Sequence, residues 1–434
     1  MDPITLAIIG IIAMVVLLLL GMNIGLCMML IGIIGYSLIT NVGATIGLLR
    51  QIPASTASNY NMVVIPLFVF MGNLAFVAGI SDGLFKAANK WLSRLPGGLA
   101  CAAIAACAAF GAICGSAQAT VATMGAVSVP AMREYGYKDT LSTGAVAVGG
   151  TLGIMIPPST PFIVYAMMAE QSVGQLFAAG IIPGIITALI LMAFVVVMVI
   201  RKPSLAPKSD IKYSILEKIK GLKDVWGMAV LFVIVLIGMF TGLFTVSEAA
   251  GIGAFAALVI TIITRKFTFK VFLGVIKDTL KTCAMIYVIL IGATVFGKFL
   301  TISQLPMRIA SFIAGLTVSP LIIIAIIAVI YAIMGCFIDA LPMITLTVPI
   351  FLPIIYSLGY SPIWFGVMIV LVMQLGFITP PVGMCAYVMS GVIKDVTLPT
   401  VFKGVAPFVP AIIIAVAIIV IFPSLSTWLP SLLY

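Results

Sequence analysis

Long apolar runs separated by short polar stretches dominate the chain. The first two runs cover residues 4–20 and 22–40, and a third covers 62–80. A membrane-spanning helix needs about 20 apolar residues, so these lengths predict membrane spans. No cleavage-site pattern separates the first two runs, which indicates a first span rather than a signal peptide. Further spans are predicted at 176–200, 226–240, 249–264, 271–299 and 405–421.

Four other apolar segments are interrupted, and their pieces are short for lipid-facing spans. A segment rich in Ala, Gly and Cys at 97–133 breaks at Gly115-Ser116, and a similar pair at 318–356 breaks between Gly335 and Pro342. We interpret these two as re-entrant hairpins. The segments at 139–168 and 361–395 are split by Pro-Pro pairs, which predicts two broken helices. Amphipathic stretches at 81–96 and 300–317 are predicted to lie in the membrane interface as arms.

The two halves of the chain share an internal period. The matches at this period comprise Pro130 with Pro353, Gly136-Tyr137 with Gly359-Tyr360, Gly153 with Gly376, and Pro157-Pro158 with Pro380-Pro381. Coincidences at one offset of 223 residues indicate a duplicated unit. An odd number of crossings in the first unit makes the second unit inverted. We therefore predict a first repeat at 1–200, a basic cytoplasmic linker at 201–224 and a second repeat at 225–434.

Composition and charge narrow the class of protein. Apolar residues make up 63% and charged residues 8% of the 434 residues, with a mean hydropathy of +1.33. These values exclude a soluble enzyme, a nucleic-acid binder and a disordered scaffold, and they indicate an all-α polytopic membrane protein. With the linker in the cytoplasm, all 22 Lys and Arg except Arg50, Lys298 and Arg308 fall on the cytoplasmic side. Both termini are then periplasmic.

The paired interruptions favour a secondary transporter. Broken segments at matching places in two inverted halves are typical of a transporter's binding site. Proline pairs remove N–H donors, so we expect the carbonyls of Gly153 and Gly376 to be freed for a hard cation. Helix N-termini near the breaks suit an anionic substrate. The chain has no His and one deep carboxylate, Asp339, which favours Na⁺ over protons as the coupling ion.

Each of these features also has a purely structural interpretation. Proline pairs can simply kink a membrane helix, and the small residues at 115–120 can serve helix packing. Asp339 is either an ion ligand or the N-cap of a helix, and one residue can do both. The seven Cys residues lie scattered in apolar stretches, as expected of small core residues.

Several runs resemble the large membrane subunit of tripartite ATP-independent periplasmic (TRAP) transporters. They are GSAQATVATMGAVSVPAMREYGY (115–137), GGTLGIMIPPSTPFIVYA (149–166), GCFIDALPMITLTVPIFLPIIYSLGYSP (335–362) and GFITPPVGMCAYV (376–388). The resemblance implies an elevator-type fold in the bacterial inner membrane. It implies import of an organic anion, of the sialic acid or C4-dicarboxylate class, driven by a Na⁺ gradient. The implied partners are a periplasmic substrate-binding protein and a small four-helix membrane subunit, both expected as separate chains.

The resemblance also implies residues for the sites, carried over by position. One Na⁺ site would comprise Gly115, Ser116, Gly150, Thr151, Gly153, Ile156 and Pro157. Its twin would comprise Gly335, Asp339, Gly376, Thr379, Pro380 and Gly383. The substrate would lie near Ser116, Ser159, Thr160 and Thr345. Na⁺ is the only metal expected, and neither an organic cofactor nor a nucleic-acid partner is expected.

Three alternatives are weighed against this function. A stand-alone Na⁺–dicarboxylate symporter of similar architecture would transport without a binding protein. A channel would require filter-like segments or rings of pore-lining charge, which the sequence lacks. A membrane enzyme would require an acid–base pair, a metal cluster or an activated nucleophile, and the sequence predicts none of these.

Overall fold

A computed structural model describes residues 2–207, 213–314 and 318–434. Within these ranges the chain is helical and contains no strand, which confirms the predicted all-α class. Lys208 and Lys212 of the predicted linker, and residues 315–317 of the predicted second arm, lie outside the described residues.

The first half of the chain folds into ten α-helices among the described residues. They are α1 (Pro3–Leu19), α2 (Ile24–Ile39), α3 (Val42–Ser58), α4 (Val64–Val77), α5 (Ile80–Leu92), α6 (Gly98–Cys114), α7 (Ala117–Glu134), α8 (Asp139–Thr151), α9 (Thr160–Met168) and α10 (Val173–Arg201). Short 3₁₀ turns precede α4 at Tyr60–Val63 and extend α8 at Leu152–Ile154.

The second half begins with a short helix in the linker. Its helices are α11 (Ile215–Gly221), α12 (Trp226–Phe232), α13 (Gly238–Phe240), α14 (Val246–Ile263), α15 (Phe269–Ser303), α16 (Leu305–Ala314), α17 (Pro320–Gly335), α18 (Ala340–Ser357), α19 (Pro362–Ile378), α20 (Met384–Val392), α21 (Leu398–Val405), α22 (Val409–Ile421) and α23 (Ser424–Leu433). A π-helical segment, Val233–Ile237, joins α12 to α13.

The helix boundaries repeat with the same period as the sequence. Helices α7 and α18 begin at Ala117 and Ala340, and helices α8 and α19 begin at Asp139 and Pro362. Both pairs of start points are 223 residues apart. Both proline pairs contain a cis peptide bond and interrupt a helix, so the two predicted helix breaks are present.

Five helices in the described chain, namely α10, α14, α15, α18 and the α21–α22 unit, are long and apolar enough to cross a membrane. The number rises to seven if each of two bent helix pairs forms one span. The remaining apolar helices are shorter, at 10–17 residues, and include α1, α2, α6, α17 and α19. Short pieces are predicted for the hairpins and broken helices, and α6, α17 and α19 agree with this. The hairpin helix α18 does not, because its 18 residues are long and apolar enough to cross.

The two broken helices occupy the centre of the molecule. Almost every side chain of α8 and α19 is buried, including the fully buried Trp364. Helix α19 is almost entirely apolar, and such a helix is stable in this position because protein surrounds it completely. Helices α1, α10 and α22 instead expose apolar side chains such as Ile12, Leu189 and Ile413, and these suit contact with lipid.

Both predicted arms are helices that follow a residue in the left-handed backbone region. Helix α5 is bent by 70° from α4 at Gly79, which has φ +75°. Helix α16 follows Gln304, with φ +60°. The second arm begins later than predicted, since residues 300–303 continue α15 to its end at Ser303.

A charged cluster links the two repeats at one end of α7, the second helix of the first hairpin (α6 and α7). Arg133 lies 2.7 Å from Asp139 and 2.8 Å from Asp395, so one guanidinium joins α7, α8 and the loop that follows α20. The backbone N–H of Asp395 and the adjacent Arg133 both favour the ionised carboxyl, and they lower the pKa of Asp395.

Candidate transport site

The first hairpin is tied to the first broken helix at its tip. Gly115 ends α6 with φ +63°, a conformation that only glycine adopts without strain. Its carbonyl accepts hydrogen bonds from the Thr160 hydroxyl at 3.2 Å and the Thr160 N–H at 3.4 Å. The Ser116 side chain then caps α7 by accepting the Ala119 N–H. The start of α9 is therefore fixed directly on the hairpin tip.

Glycines in the first broken helix allow main chain to approach main chain. A methyl group built on Gly153 would lie 2.8 Å from the Ser116 carbonyl oxygen and 2.5 Å from Thr120 Oγ1. A methyl group on Gly150 would meet the backbone of Val121 at 3.1 Å. The structure thus places Gly153 against Ser116 at the hairpin tip and Gly150 against Val121 further along α7.

The remaining residues of the first set lie at the edges of this contact. Ile156 directs its side chain to Gly184 on α10, and its N–H donates to the Leu152 carbonyl. Pro157 forms the cis bond to Pro158 that turns the chain toward α9. Thr151 is the last residue of α8. Its hydroxyl donates to the Val148 carbonyl at 2.6 Å and also lies 3.1 Å from Gln374 Oε1 of the second repeat.

The second repeat contains the same contact between a hairpin and a broken helix. A methyl group on Gly376 would lie 2.5 Å from the Gly335 Cα, and one on Gly335 would lie 3.0 Å from the Gly376 Cα. Pro380 forms the second cis bond, and Gly383 follows with φ +55°. A methyl group on Gly383 would approach the Thr379 carbonyl oxygen at 3.1 Å. Residues 376–383 therefore form one compact turn, and Gly335 of the hairpin packs against it.

The Gly376 carbonyl is not freed, contrary to the expectation from the proline pair. It accepts the Thr379 N–H at 3.2 Å, while the Thr379 hydroxyl donates to the Leu375 carbonyl at 2.6 Å. The helix closes with a bond of the 3₁₀ type at its last turn, which commonly satisfies terminal carbonyls. A carbonyl oxygen retains a second lone pair, so this bond still leaves Gly376 able to bind a cation.

Asp339 lies at the tip of the second hairpin and meets the first. Its Oδ1 accepts the Ala340 N–H at 2.7 Å, which makes it the N-cap of α18. The same oxygen accepts Gln118 Nε2 from α7 at 2.8 Å. Ser116 and Asp339 are equivalent by the 223-residue period and cap equivalent helices. The N-cap interpretation of Asp339 is confirmed, and the carboxylate also joins the two hairpins.

The four implied substrate residues differ in how accessible they are. Ser159 and Thr345 are fully buried, and their hydroxyls donate to the Ile154 carbonyl at 2.5 Å and the Pro342 carbonyl at 3.0 Å. Ser116 and Thr160 are half-buried beside the tip of the first hairpin. Among the four, these two are the side chains that a solute could reach.

Two glutamines were missed as site residues by the sequence analysis. Gln118 bonds Asp339, and Gln374 lies 3.1 Å from the Thr151 hydroxyl. Gln374 is fully buried, and its Nε2 has no hydrogen-bond partner in the described part of the chain. The period contained the signal for Gln374, because adding 223 residues to the proposed ligand Thr151 gives this position.

The donor set of the site consists of oxygen atoms. No group of three or more His, Cys, Asp or Glu side chains capable of holding a metal occurs among the described residues. Main-chain carbonyls, hydroxyls and the Asp339 carboxylate are hard ligands, which suit a hard cation rather than a transition metal.

The fold is shared with solved membrane transport proteins. The YdaH transporter of Alcanivorax borkumensis superposes with a TM-score of 0.58 at 16% identity, covering 88% of each chain. MtrF of Neisseria gonorrhoeae, described as one of a class of antimetabolite efflux pumps, superposes with a TM-score of 0.55 at 16% identity. That match covers 86% of this chain and 82% of MtrF. The chain therefore has the same overall fold as these two proteins.

Sequence comparison gives the family. Residues 11–425 match the model of the tripartite ATP-independent periplasmic transporter, DctM component, and the chain belongs to this family. It is therefore a large permease subunit of a TRAP transporter and not an enzyme.

Curated relatives agree with this assignment. The sialic acid TRAP transporter large permease protein SiaM of Vibrio cholerae is 30% identical, with 95% of each chain covered. The C4-dicarboxylate TRAP transporter large permease protein DctM of Pseudomonas aeruginosa is 34% identical, with 87% of each covered. The isethionate TRAP transporter permease protein DctMQ of Oleidesulfovibrio alaskensis is 37% identical over 85% of this chain, which spans 58% of that protein's length.

Proposed function

We propose that this chain imports an organic anion together with Na⁺ across the bacterial inner membrane. One observation carries the proposal: in each repeat, a hairpin tip packs on the break of that repeat's broken helix through glycine main chain. Gly153 meets Ser116 in the first repeat, and Gly376 meets Gly335 in the second. Interrupted helices at matching positions of two repeats are the general form of an ion-coupled binding site.

The two Na⁺ sites are proposed at these contacts, with the substrate between them. The first would use Gly115, Ser116, Gly150, Gly153 and neighbouring atoms, and the second would use Gly335, Asp339, Gly376 and the Thr379–Gly383 turn. Cations bound at both places would offset the negative charge of the substrate in a site of low dielectric constant. If the cations bind first and the substrate follows, uptake is coupled to the Na⁺ gradient.

The chemical class of the substrate is supported by the relatives. Their names specify isethionate, sialic acid and C4-dicarboxylate, each of which is an organic acid anion at neutral pH. We infer that this chain takes an anion of the same general kind. Half-buried hydroxyls at Ser116 and Thr160 would contact its polar groups.

Movement is proposed to follow the elevator mechanism. The hairpins and broken helices would move as one domain, while α1–α4 and α12–α15 would form the static scaffold. The arm helices α5 and α16 would connect the two. Residues 201–224 are proposed to be cytoplasmic and both termini periplasmic, as the distribution of Lys and Arg favours.

Two partners are proposed from the family: a small four-helix membrane subunit and a periplasmic substrate-binding protein. Uptake by proteoliposomes containing this chain with its small subunit tests the function. We expect saturable uptake of a radiolabelled organic anion that requires both an inward Na⁺ gradient and the loaded binding protein. Uptake without Na⁺ would overturn the coupling.

The same assay separates the stand-alone symporter from the tripartite system. A stand-alone symporter would take up free C4-dicarboxylate at the same rate with or without the binding protein. A passive pore would show uptake that does not saturate with substrate concentration. Replacing Na⁺ by choline at equal ionic strength controls for salt effects on docking.

A further inference from the structure

Gln118 belongs to the first hairpin but contacts the proposed ligand of the second ion site. Its Nε2 donates to Asp339 Oδ1 at 2.8 Å, and the Ala340 N–H donates to the same oxygen at 2.7 Å. Oδ2 accepts no hydrogen bond from the described residues. Two donors on one carboxylate oxygen fix the rotation of the carboxyl group and leave the other oxygen for a cation.

The charge of Asp339 is not balanced by this contact. Gln118 is a neutral donor, and the ion pairs found among the described residues join Arg133 to Asp139 and Asp395 only. A carboxylate in a half-buried site without a cationic partner is costly. The amide therefore orients the carboxylate without replacing a cation, which is what an ion site requires of a neighbouring residue.

The same glutamine also reaches the first ion site. Its Oε1 lies 3.4 Å from the Ser116 hydroxyl, and Ser116 is the residue equivalent to Asp339 in the other repeat. A continuous set of contacts therefore runs from Ser116 through Gln118 to Asp339. Residues of both proposed ion sites therefore contact the Gln118 side chain and affect its orientation.

We propose that Gln118 is a positioning residue that presents Asp339 to Na⁺ and couples the two ion sites through the hairpin tips. This inference rests on the proposed function, since it takes Na⁺ as the ion. Coupling between two sites is reciprocal, so losing the link should weaken binding at both sites and reduce the cooperativity between them.

The test uses the complete permease in proteoliposomes with saturating loaded binding protein, and it measures initial uptake at increasing Na⁺. Gln118→Met keeps the length of the side chain and removes both polar atoms. A hydrogen bond to a charged group typically contributes enough to change an affinity about tenfold. The Na⁺ concentration that gives half-maximal uptake should therefore rise about tenfold. The Hill coefficient should fall toward one, with the maximal rate less affected. Gln51→Met, at an exposed helical glutamine, is the matched control.

A second measurement does not depend on transport. The melting temperature of the purified permease is compared in NaCl and in choline chloride. Gln118→Met should show a smaller stabilisation by Na⁺ than the wild type, measured as the difference between its melting temperatures in NaCl and in choline chloride. Equal loss of stability in both salts would show that Gln118 only holds the fold, and that result would overturn the proposal.

The outcomes also separate this inference from the proposed function. Na⁺-independent uptake by the wild type would refute the function itself. A different outcome is that Asp339→Ala raises the Na⁺ concentration for half-maximal uptake while Gln118→Met changes neither this concentration nor the Hill coefficient. In that case the function stands and the positioning role of Gln118 is refuted.

Discussion

Thr151 and Gln374 occupy equivalent positions in the two repeats, and their side chains contact each other. The Thr151 hydroxyl lies 3.1 Å from Gln374 Oε1, the two residues are 223 positions apart, and both are fully buried. Equivalent residues meet only close to an axis of two-fold symmetry. The pseudo-two-fold axis between the repeats therefore passes near this pair.

The Thr151–Gln374 pair predicts a non-additive effect on stability. Thr151→Val leaves the buried Gln374 Oε1 without its partner, which costs about 1–3 kcal/mol. In Gln374→Leu the Thr151 hydroxyl keeps its hydrogen bond to the Val148 carbonyl at 2.6 Å, so this variant should cost less. The double variant removes both polar groups and should lose less than the sum of the two. A double-mutant cycle on thermal unfolding of the purified protein measures this.

Thr187→Val is the matched control for this cycle. Thr187 is also buried, and its hydroxyl donates within its own helix to the Pro183 carbonyl at 2.7 Å, as that of Thr151 does to Val148. It differs from Thr151 in lying outside the pair with Gln374. The change in the free energy of unfolding for Thr187→Val should add to that for Gln374→Leu. Strict additivity of Thr151→Val with Gln374→Leu would show that the pair contributes nothing as a pair.

Gly153→Ala and Gly376→Ala should abolish transport and lower stability. The added methyl groups would lie 2.8 Å from the Ser116 carbonyl oxygen and 2.5 Å from the Gly335 Cα, so main chain would have to shift. Gly47→Ala is the control, because no atom lies within 4 Å of a methyl group at that helical position. Wild-type uptake by either site variant would show that close backbone contact is not required.

Asp339→Ala and Thr379→Ala should lower the apparent Na⁺ affinity more than they lower expression. The first removes the only carboxylate at the hairpin tips, and the second removes a hydroxyl from the turn at Pro380. Initial uptake rates at varied Na⁺ concentration, normalised to the amount of protein in the membrane, measure the effect. Unchanged Na⁺ dependence in both variants would contradict their assignment to the second ion site.

Gln304→Gly should stabilise the protein. Gln304 has φ +60°, and a left-handed conformation costs a residue with a side chain about 1–2 kcal/mol. Glycine adopts it freely, as Gly79 does at the start of the first arm, with φ +75°. A rise in melting temperature for Gln304→Gly and a fall for Gly79→Ala are expected. A fall in melting temperature for Gln304→Gly and a rise for Gly79→Ala would show that side-chain contacts outweigh backbone strain at these positions.

The Arg133 cluster predicts a pH-dependent contribution to stability. The pKa of Asp395 is lowered below its ordinary value of 3.8 in the folded protein. The stabilisation is therefore complete above this value and is lost as the pH falls through the folded pKa. The melting temperature of Arg133→Gln should be lower than wild type near neutral pH, and the difference should disappear in acid. A constant difference across the pH range would exclude the ion pair as its cause.

Local chemistry explains which elements the sequence predicted. Prolines at 157–158 and 380–381 lack N–H groups, so both helix breaks followed directly from the residues. Helix α3 was missed because Arg50, Pro53 and several Ser and Thr residues disrupt its apolar pattern. Helix α23 was missed for the same reason, since Ser and Pro interrupt its final apolar residues.

Contacts between the repeats were beyond the sequence analysis. Gln118 lies beside the hairpin break, where polar residues favour a site, but the sequence does not assign it to Asp339. Gln374 carries no local pattern that distinguishes it from polar residues in other helices. Their importance arises from folding, which brings positions more than 200 residues apart within hydrogen-bond distance. The bond from Thr379 to the Gly376 carbonyl was likewise not predicted, because it depends on how the last helical turn closes.

Helix α15 has a consequence for the choice of lipid. It is 35 residues long and therefore extends about 52 Å at 1.5 Å per residue, whereas the hydrocarbon layer is about 30 Å thick. The N-terminal part of this helix carries Lys270, Lys277 and Lys281, whose charged groups prefer the lipid headgroups to the acyl chains. A helix of this length tilts further as a bilayer thins, so the rate of uptake should depend on the acyl-chain length of the reconstituting lipid.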